Sequence, residues 1–556
     1  MVEERSWADE ADVVIVGAGA TGLPAAIAAC ENGASVLLIE ANFDIGGHAA
    51  ISGGNLPLGG GTSAQKRAGI VDSPDLLFAD LTDWSVVQPN GFPDYRYNDR
   101  EIIRAFADWS APTYEWLLEK GVIFIDTPID NRGAGGTGNS APREAHLAAM
   151  DWVQFQTGKA QPPERGPITS SGIGLVRPLE VTARKMGVRI LLKHKMTGLI
   201  RSGGGPTGRV IGVTCVHEGR TLDIQAKKAV ILGTGGSTSN VNFRRIFDPR
   251  LTEEYSTAGE PFTPQDASGE LAAMAIGASL WGAYNQSAEF GIVVSKAGQI
   301  GTFYGYGPLM WQAGSPVFHL ARATGLRVAD WQDVILVNQK GRRFYDETVP
   351  QYAANSYEGI PDYEPGSWRN AKNITYNPRN FLNAALAGTG EARNGGGPIW
   401  AIFDSQALAR ENWTPEPPHV DIAGGYFFSG NTIEELAANI KNKFQREPMP
   451  ADVLAETVAR YNSFVDSGVD LDFERPSPKY KIEVPPFYAA WSTPVVHDTR
   501  VGLRINAKCQ VVDLQGEVIP GLYCGGESAG GFSQHGLARC VVQGRIAGLN
   551  AAAETV

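Results

Sequence analysis

The chain has 556 residues, a formal net charge of −12 and 19% charged residues, which predicts two or more domains with a large buried interior. The acidic balance argues against a nucleic-acid partner, which requires a basic face. Five scattered cysteines without a C-x-x-C pair argue against a disulfide scaffold, a metal site, an iron–sulfur cluster and c-type haem. The acidic N-terminus lacks an apolar segment and no stretch approaches about twenty apolar residues, so we expect a cytoplasmic chain without a membrane span.

The first motif lies between Ala11 and Glu40. An apolar run, Val13–Val16, predicts a strand buried on both faces. A G-x-G-x-x-G loop follows, made of Gly17, Ala18, Gly19, Ala20, Thr21 and Gly22. Its glycines permit a tight turn, the approach of a pyrophosphate and close packing of the next helix, whose N–H groups point at the phosphates. Glu40 ends the second strand, where a carboxylate accepts hydrogen bonds from a ribose. This order of elements predicts a dinucleotide site.

The segment after Glu40 places small residues between two Gly-Gly pairs. Such a segment can lie flat against a ring system, although an ordinary glycine loop has the same composition. The candidate cofactor-binding residues here are Ala41, Gly46, Gly47, His48, Ala49, Ser52, Gly53 and Gly54. His48 either touches the cofactor, even covalently, or is a polar residue behind it.

The next segments predict an alternation of helices and strands. Helices are expected over Arg100–Lys120, kinked or divided at Pro112, and over Val176–Met186. Strands are expected over Val122–Ile125 and Val188–Leu192, followed by a β-meander over residues 197–226.

A second strand-to-glycine turn follows at Lys228–Gly236. In a doubly wound sheet such a turn lies beside the ligand, which makes Thr234 and Gly235 candidates for cofactor binding. Asp266 further along either caps a helix or reaches the sugar alcohol of the cofactor.

Residues 286–485 are rich in tryptophan, tyrosine and proline and form a second domain in our interpretation. A hairpin turn leading into a charged strand is expected over Asn338–Glu347, and helices are expected after Thr432 and over Asp452–Phe464. From residue 486 the first domain resumes with a short strand, glycines with an acid, and a terminal helix. The predicted fold class is α/β: a Rossmann-like, doubly wound domain over residues 1–285 and 486–556, with an inserted α+β domain over 286–485.

Together these motifs resemble the flavoprotein superfamily of fumarate reductase and succinate dehydrogenase, which also contains the 3-ketosteroid dehydrogenases. The matching segments are Val13–Gly22, Gly46–Gly54, Ala229–Gly236, Gly341–Phe344 with Glu347, Pro486–Ala489, His497, Ile519–Glu527 and Gly544–Gly548. The resemblance implies FAD as the cofactor, with the inserted domain capping the flavin and the substrate lying between cap and ring.

The resemblance also implies roles for single residues. The first glycine loop would hold the pyrophosphate, Glu40 the ribose, and Met196 the adenine through its backbone. Thr234, Gly235, Gly526 and Glu527 would line the FAD. His535, Gly536 and Leu537 would run past the pyrimidine edge of the flavin.

The chain departs from the fumarate reductases in two places. Where those enzymes carry a proton-delivering arginine, four residues after Glu347, this chain has Gln351, with Tyr352 beside it. The loop before the last helix is short, and Arg539 falls inside the predicted helix, so it cannot be equated with their substrate-clamping arginine. Since a dicarboxylate requires bidentate cations, fumarate itself is not the expected substrate.

Dehydrogenation beside a carbonyl requires hydride transfer to flavin N5, removal of the neighbouring proton and stabilisation of the developing enolate. By resemblance to 3-ketosteroid dehydrogenases, Tyr488 is the candidate donor to the carbonyl, although Ser492 replaces their nearby glycine. Tyr352, Tyr304 or Tyr306 is the candidate for proton transfer; each alternatively packs the cap.

Two further residues are candidates for the site. The resemblance implies that His497 faces the substrate, whereas its spacing alone equally allows a structural histidine. Arg500 either holds a substrate oxygen or lies at the surface or stabilises the fold.

The leading hypothesis is an FAD-dependent oxidoreductase that desaturates a CH–CH bond adjacent to a carbonyl. The alternatives are an ene-type reductase of the fumarate or urocanate kind and a flavin-binding protein without turnover. The expected partners are a small-molecule substrate with a carbonyl and an external electron acceptor or donor.

Overall fold

The computed structural model describes residues 5–83, 98–125, 140–148, 172–247, 251–257, 259–260, 263–281, 292–295, 299–301, 325–344, 346–348, 398–417, 419–445, 447–493, 495–532, 534 and 536–555. For residues 256, 292–295, 299, 495, 497 and 498 only the backbone is described.

The strands in chain order are β1 (Asp9–Val16), β2 (Val36–Ile39), β3 (Asn55–Pro57), β4 (Glu144–His146), β5 (Arg189–Leu191), β6 (Lys195–Arg201), β7 (Val210–His217), β8 (Arg220–Leu232), β9 (Ser256–Thr257), β10 (Leu280–Trp281), β11 (Ile292–Ser295), β12 (Gln299–Ile300), β13 (Leu326–Arg327), β14 (Ile335–Val337), β15 (Trp400–Asp404), β16 (Phe427–Gly430), β17 (Phe487–Trp491), β18 (Val495–Thr499), β19 (Gly502–Leu503), β20 (Gln510–Val512) and β21 (Val518–Cys524).

The helices are α1 (Gly22–Glu31), α2 (Gly47–Ile51), α3 (Ser63–Arg67), α4 (Pro74–Leu81), α5 (Arg100–Glu119), α6 (Ile173–Lys185), α7 (Val241–Phe247), α8 (Ser268–Met274), α9 (Ser405–Glu411), α10 (Ile433–Asn439), α11 (Ala451–Ser467) and α12 (Leu537–Ala553).

The larger sheet has the strand order β20-β21-β8-β1-β2-β5, and β7 and β6 extend from β8. The pairs β21–β8, β8–β1, β1–β2 and β2–β5 are all parallel. Val13–Val16 are buried, as expected of an apolar strand in the middle of a sheet with both faces covered. Because α1 connects β1 to its parallel neighbour β2, the first elements form a βαβ unit. The predicted Rossmann-like α/β class is confirmed.

Two glycines bring the terminal helix α12 into backbone contact with α1. A Cβ atom at Gly544 would lie 2.3 Å from the carbonyl oxygen of Thr21. A Cβ atom at Gly548 would lie equally close, 2.3 Å, to the carbonyl oxygen of Ala25. Larger residues would push the helices apart, so these glycines fix the start of α12 relative to the first glycine loop.

The second sheet is antiparallel, with the order β14-β15-β17-β16. On one face, side chains of β15 and β17 pack in a cluster with residues of α10 and α11; on the other they pack with residues around Ile300 and Val420. Helices beside an antiparallel sheet agree with an α+β cap. Strand β17 begins one residue past the predicted boundary at 486 yet pairs with cap strands; the domain limits stay a prediction.

The Gly341–Glu347 motif lies inside this second unit. Its hairpin turn is confirmed: Asn338 N–H donates to Arg342 O at 3.0 Å. Glu347 is buried and accepts hydrogen bonds from Arg343 Nε at 3.0 Å and from Arg475 Nη1 at 3.1 Å. Burial raises the pKa of Glu347, but the guanidinium groups of Arg343 and Arg475 lower it by a larger amount, so the net shift of the pKa is downward. The motif therefore anchors the cap through a buried ion-pair network.

Several predicted elements differ in detail. Helix α5 continues through Pro112 without interruption, because the hydrogen bond lost at proline is offset by a long buried face. The third meander strand and the strand before Thr234 are one continuous strand, β8. The strand predicted at Val122–Ile125 is only an isolated bridge between Phe124 and Leu147.

One helix starts at its predicted signal, and another runs past its predicted end at Phe464. Thr432 Oγ1 accepts from Glu435 N at 3.1 Å and caps α10. Helix α11 ends at Gly468, which has φ +73°. Within the described part of the chain, no helix is both long and apolar enough to cross a bilayer.

Candidate active site

Five parallel strands end at one edge of the larger sheet. Val16 is in register with Ile39 on one side and with Leu232 on the other. Leu232 is in register with Cys524, and Ile39 with Leu191. The segments that follow these residues therefore emerge side by side, although they are up to about five hundred residues apart in sequence. In parallel α/β sheets this carboxyl edge is where ligands bind.

The three glycines of the first loop have different surroundings. Gly17 has φ +99°, and a Cβ atom there would lie 2.3 Å from Gly233 O. A Cβ atom at Gly22 would lie 1.8 Å from Gly17 O. At Gly19 the nearest neighbour would be Gly46 O at 3.6 Å, an ordinary van der Waals distance, so the middle glycine is not tightly enclosed by other atoms. This agrees with the predicted roles: turn, phosphate approach and close packing. Ala18, Ala20 and Thr21 are buried around them.

Glu40 follows β2 and is held against the loop. Its Oε2 accepts from Ala18 N at 2.7 Å and its Oε1 from Asn42 N at 2.9 Å. Burial raises the pKa of Glu40, while hydrogen bonds from the backbone N–H groups of Ala18, Asn42 and Ala41 oppose the rise. The carboxylate is thus fixed against the first glycine loop.

The Gly46–Gly54 segment is not flat; it contains the short helix α2. Gly46 has φ +109°, and its N–H donates to Ala18 O at 2.9 Å, which ties the segment to the first loop. Ser52 Oγ donates to Ala49 O at 2.9 Å. His48 is half-buried in α2, and a Cβ atom at Gly259 would lie 2.6 Å from its Nε2. Gly47, Gly53 and Gly54 lie in the same segment.

Met196 and Asp266 lie close to this edge. Met196 is buried on β6. Its neighbour Lys195 forms an ion pair of 2.8 Å with Asp266 Oδ2. Asp266 Oδ1 accepts from Ser268 N at 3.1 Å, at the start of α8. The N-cap position of α8 is Ala267, so Asp266 is not the predicted N-cap; it lies one residue before that position and accepts from the first N–H of the helix.

The turn at Thr234–Gly235 is bonded to the turn at Gly526–Glu527. Ser528 Oγ donates to Gly235 O at 2.8 Å and lies 3.0 Å from Thr234 Oγ1. Gln265 Nε2 donates to Glu527 Oε2. Sequence analysis missed Ser528 and Gln265, although Ser528 directly follows the predicted acid.

The last predicted cofactor residues lie at the start of α12. Gly536 has φ +94°, and a Cβ atom there would meet nothing within 4 Å. Leu537 begins the helix, and His535 lies outside the described residues. Arg539 is inside the helix, as predicted, and fully buried; its Nη1 donates to Phe532 O at 2.8 Å and its Nη2 to Thr499 O at 3.2 Å.

The structure describes the side chains of some predicted catalytic residues and not of others. Tyr488 is 8% exposed on β17, and its ring stacks on Phe403 with centroids 5.4 Å apart. Burial raises the pKa of Tyr488. Arg500 is buried directly after β18, so it is not a surface residue. His497 lies on β18, without a described side chain. Gln351, Tyr352, Tyr304 and Tyr306 lie outside the described residues.

A buried acid at this edge was not predicted. Glu270, in the first turn of α8, is fully buried, and neither of its carboxylate oxygens has a hydrogen-bond partner among the described residues. Burial raises the pKa of Glu270 well above 4.5, and the nearby acids Asp266 and Glu527 add to the rise. Nothing in the sequence marks this position, because the burial arises from the packing of α8.

The convergent loops define an α/β protein that binds a dinucleotide at the carboxyl edge of its sheet. The residues present fit FAD: a glycine loop after β1, a carboxylate at the end of β2 and a second acidic turn after β21.

Comparison with known proteins agrees with this class. The family described as "FAD binding domain" matches residues 12–540. The chain is 27% identical over 554 residues to "Fumarate reductase (cytochrome)" of Shewanella frigidimarina, covering 98% of this chain and 77% of that protein. It is 26% identical over 589 residues to "3-oxosteroid 1-dehydrogenase" of Mycolicibacterium smegmatis, covering 93% and 91%. The solved open conformation of a flavocytochrome c3 fumarate reductase superposes with a TM-score of 0.62 at 24% identity, covering 99% and 79%.

The chain belongs to the FAD binding domain family. It is an FAD-dependent oxidoreductase, so the predicted cofactor and enzyme class are confirmed.

Proposed function

We propose that the chain is a desaturating dehydrogenase that removes two hydrogens from a CH–CH bond beside a carbonyl. The observation that carries this proposal is that the guanidinium group of Arg539 is already bonded within the protein. Its guanidinium donates to two backbone carbonyls, Phe532 O and Thr499 O, at 2.8 and 3.2 Å. It therefore does not serve as a clamp for a substrate carboxylate, which favours a substrate with a single carbonyl over a dicarboxylate.

Tyr488 is the proposed donor to the substrate carbonyl. Phe403 stacks on one side of its ring at 5.4 Å, and Phe427 packs against it at 5.6 Å, so the ring is fixed. Since burial raises its pKa, the phenol stays protonated at neutral pH and acts as a hydrogen-bond donor, not as a base. Such a donor stabilises negative charge as it develops on the carbonyl oxygen.

The remaining functions are assigned to the cofactor, to other residues and to an external partner. Bound FAD supplies the hydride-accepting ring. We infer that the neighbouring proton leaves through Tyr352, Tyr304 or Tyr306. We also infer that an external electron acceptor completes each turnover.

The experiment is product analysis with an artificial acceptor dye. Purified FAD-loaded protein is incubated with the dye and a panel of steroids and cyclic ketones, and products are examined by mass spectrometry. The proposal expects a product that has lost two hydrogens. Tyr488→Phe is expected to lower kcat by about 10²- to 10³-fold, as loss of one oxyanion donor does.

The matched control is Tyr426→Phe. Tyr426 lies nearby in the same unit, is buried and packs against Trp491 at 5.1 Å, in the cluster on the opposite face of the sheet. It is expected to leave kcat within about threefold of wild type, since a single buried hydroxyl remote from the reaction affects mainly stability. Equal activity of Tyr488→Phe and wild type would remove Tyr488 from the mechanism. Absence of any dehydrogenated product across the panel, with enoates reduced instead, would favour the ene-type reductase.

A further inference from the structure

The turn after β21 is held by two buried glutamines that sequence analysis did not identify. Gln543 lies on α12 and is 2% exposed; Gln265 lies just before α8 and is 3% exposed. They approach the Gly526–Glu527 turn from different elements of the fold. We call these two side chains the glutamine clamp.

Gln543 fixes the backbone of the turn. Gly525 N–H makes the last bond of the strand ladder, to Leu232 O at 3.2 Å. The next residue, Gly526, has φ +70°, which turns its N–H away from the sheet. This N–H donates to Gln543 Oε1 at 2.8 Å. The amide orientation is set by chemistry, because a backbone donor needs the oxygen of the amide.

Gln265 fixes the side chain of the turn. Its Nε2 donates to Glu527 Oε2. Its Oε1 accepts from Thr238 Oγ1 at 3.1 Å, and its own backbone N–H donates to Ser239 Oγ at 3.1 Å. Gln265 is thus anchored on the segment that follows the Thr234 turn. Gln265 therefore links the segment after the Thr234 turn to the side chain of Glu527.

The amide is suited to this task because it is neutral. A lysine or arginine at either position would neutralise Glu527 and compete for its oxygens. An amide orients the carboxylate through a hydrogen bond and leaves its negative charge, which attracts hydroxyl donors, in place.

We propose that Gln265 and Gln543 are positioning residues for FAD: they hold the Glu527 carboxylate in the orientation that accepts hydrogen bonds from the cofactor. The proposal rests on the prediction that Glu527 contacts FAD. The contact between Glu527 and FAD then depends on Gln265 and Gln543, although these two side chains need not touch the cofactor. Preorganisation of this kind lowers the ordering cost of binding, so its loss weakens affinity.

The test is FAD titration of the apoprotein, followed by flavin fluorescence, for Gln543→Met and Gln265→Met. Each substitution keeps side-chain length and removes the hydrogen bond. An unsatisfied buried partner corresponds to a Kd increase of about 5- to 100-fold. Gln515→Met is the control, because Gln515 lies exposed in the turn between β20 and β21. It should bind FAD like wild type.

A spectroscopic readout separates positioning from general destabilisation. The visible circular dichroism of bound flavin should change in both Met variants, since it reports the surroundings of the ring. If Gln543→Met does not fold, Gln265→Met still tests the proposal, because it leaves the backbone donors of the turn satisfied.

The outcomes are distinguishable. If folded Gln265→Met and Gln543→Met both bind FAD within twofold of wild type, the clamp is overturned while the cofactor assignment stands. If the visible circular dichroism of bound flavin is unchanged in both Met variants, positioning by the clamp is wrong. A wild-type apoprotein that does not bind FAD would overturn both the clamp and the proposed function.

Discussion

Glu270→Gln should change how stability depends on pH. Glu270 is fully buried, both carboxylate oxygens lack partners among the described residues, and its pKa is raised well above 4.5. In the unfolded chain the group titrates near its ordinary value. Between the two pKa values the folded protein therefore holds an extra proton, and the free energy of unfolding falls as pH rises through this interval. Above the folded pKa the loss is complete.

The magnitude follows from the width of that interval. One pKa unit corresponds to about 1.4 kcal/mol. Within that interval the free energy of unfolding of wild type falls by about 1.4 kcal/mol for each unit of pH. For a chain of 556 residues, 1 kcal/mol corresponds to roughly 1 °C in Tm. The glutamine side chain has the same shape and does not titrate. The Tm of Glu270→Gln minus that of wild type should therefore rise by roughly 1 °C for each unit of pH within the interval.

The assay is thermal unfolding of FAD-loaded wild type, Glu270→Gln and Glu517→Gln at several pH values. Glu517 is exposed and serves as the control, for which the difference should stay constant. The test uses the trend with pH and not the absolute Tm, because the buried amide has its own desolvation cost. A difference that is flat or that falls as pH rises would refute the reasoning about Glu270.

Three further predictions concern the cofactor edge. Gly22→Ala should abolish FAD binding or folding, since its Cβ would lie 1.8 Å from Gly17 O. The control is Gly198→Ala, whose Cβ meets nothing within 4 Å and which should bind FAD normally. The measurement is the amount of FAD that each variant retains after gel filtration. Glu40→Gln should raise the FAD Kd about tenfold, since the amide offers one acceptor oxygen to the three backbone N–H groups of Ala18, Asn42 and Ala41. Because burial raises the pKa of Glu40, FAD release from wild type should begin above pH 4.5 as pH falls, and an unchanged release profile in Glu40→Gln would argue against this cause. Asp266→Asn should change the FAD Kd less than about fivefold, because its ion pair with Lys195 is solvent-exposed; a larger loss in the same titration would assign Asp266 to the cofactor.

Local sequence was sufficient to predict the elements that meet at the sheet edge. The glycine loop at Gly17 and the strand before Thr234 have strong local signals: apolar runs that end in glycine. Parallel strands must then place their following turns together. The structure confirms that arrangement through the register of Val16, Leu232 and Cys524.

What could not be predicted depends on tertiary contacts. Gln265 meets Glu527 across 262 residues, and no periodicity or motif marks that pair. Glu270 is buried because α8 packs against the sheet edge, which the local sequence does not indicate. Pro112 is a local signal for a kink or a break, but α5 continues through it because the buried face of the helix outweighs the lost hydrogen bond.

The central claim is that this FAD enzyme oxidises a CH–CH bond beside a carbonyl, and the absorbance of its flavin tests that claim most directly. The FAD-loaded protein is mixed anaerobically with steroids or cyclic ketones, without any other acceptor. The account predicts bleaching of the oxidised flavin band at a rate that falls about 10²- to 10³-fold in Tyr488→Phe. The contrary result is an unchanged band with every ketone, together with rapid reoxidation of chemically reduced enzyme by an enoate.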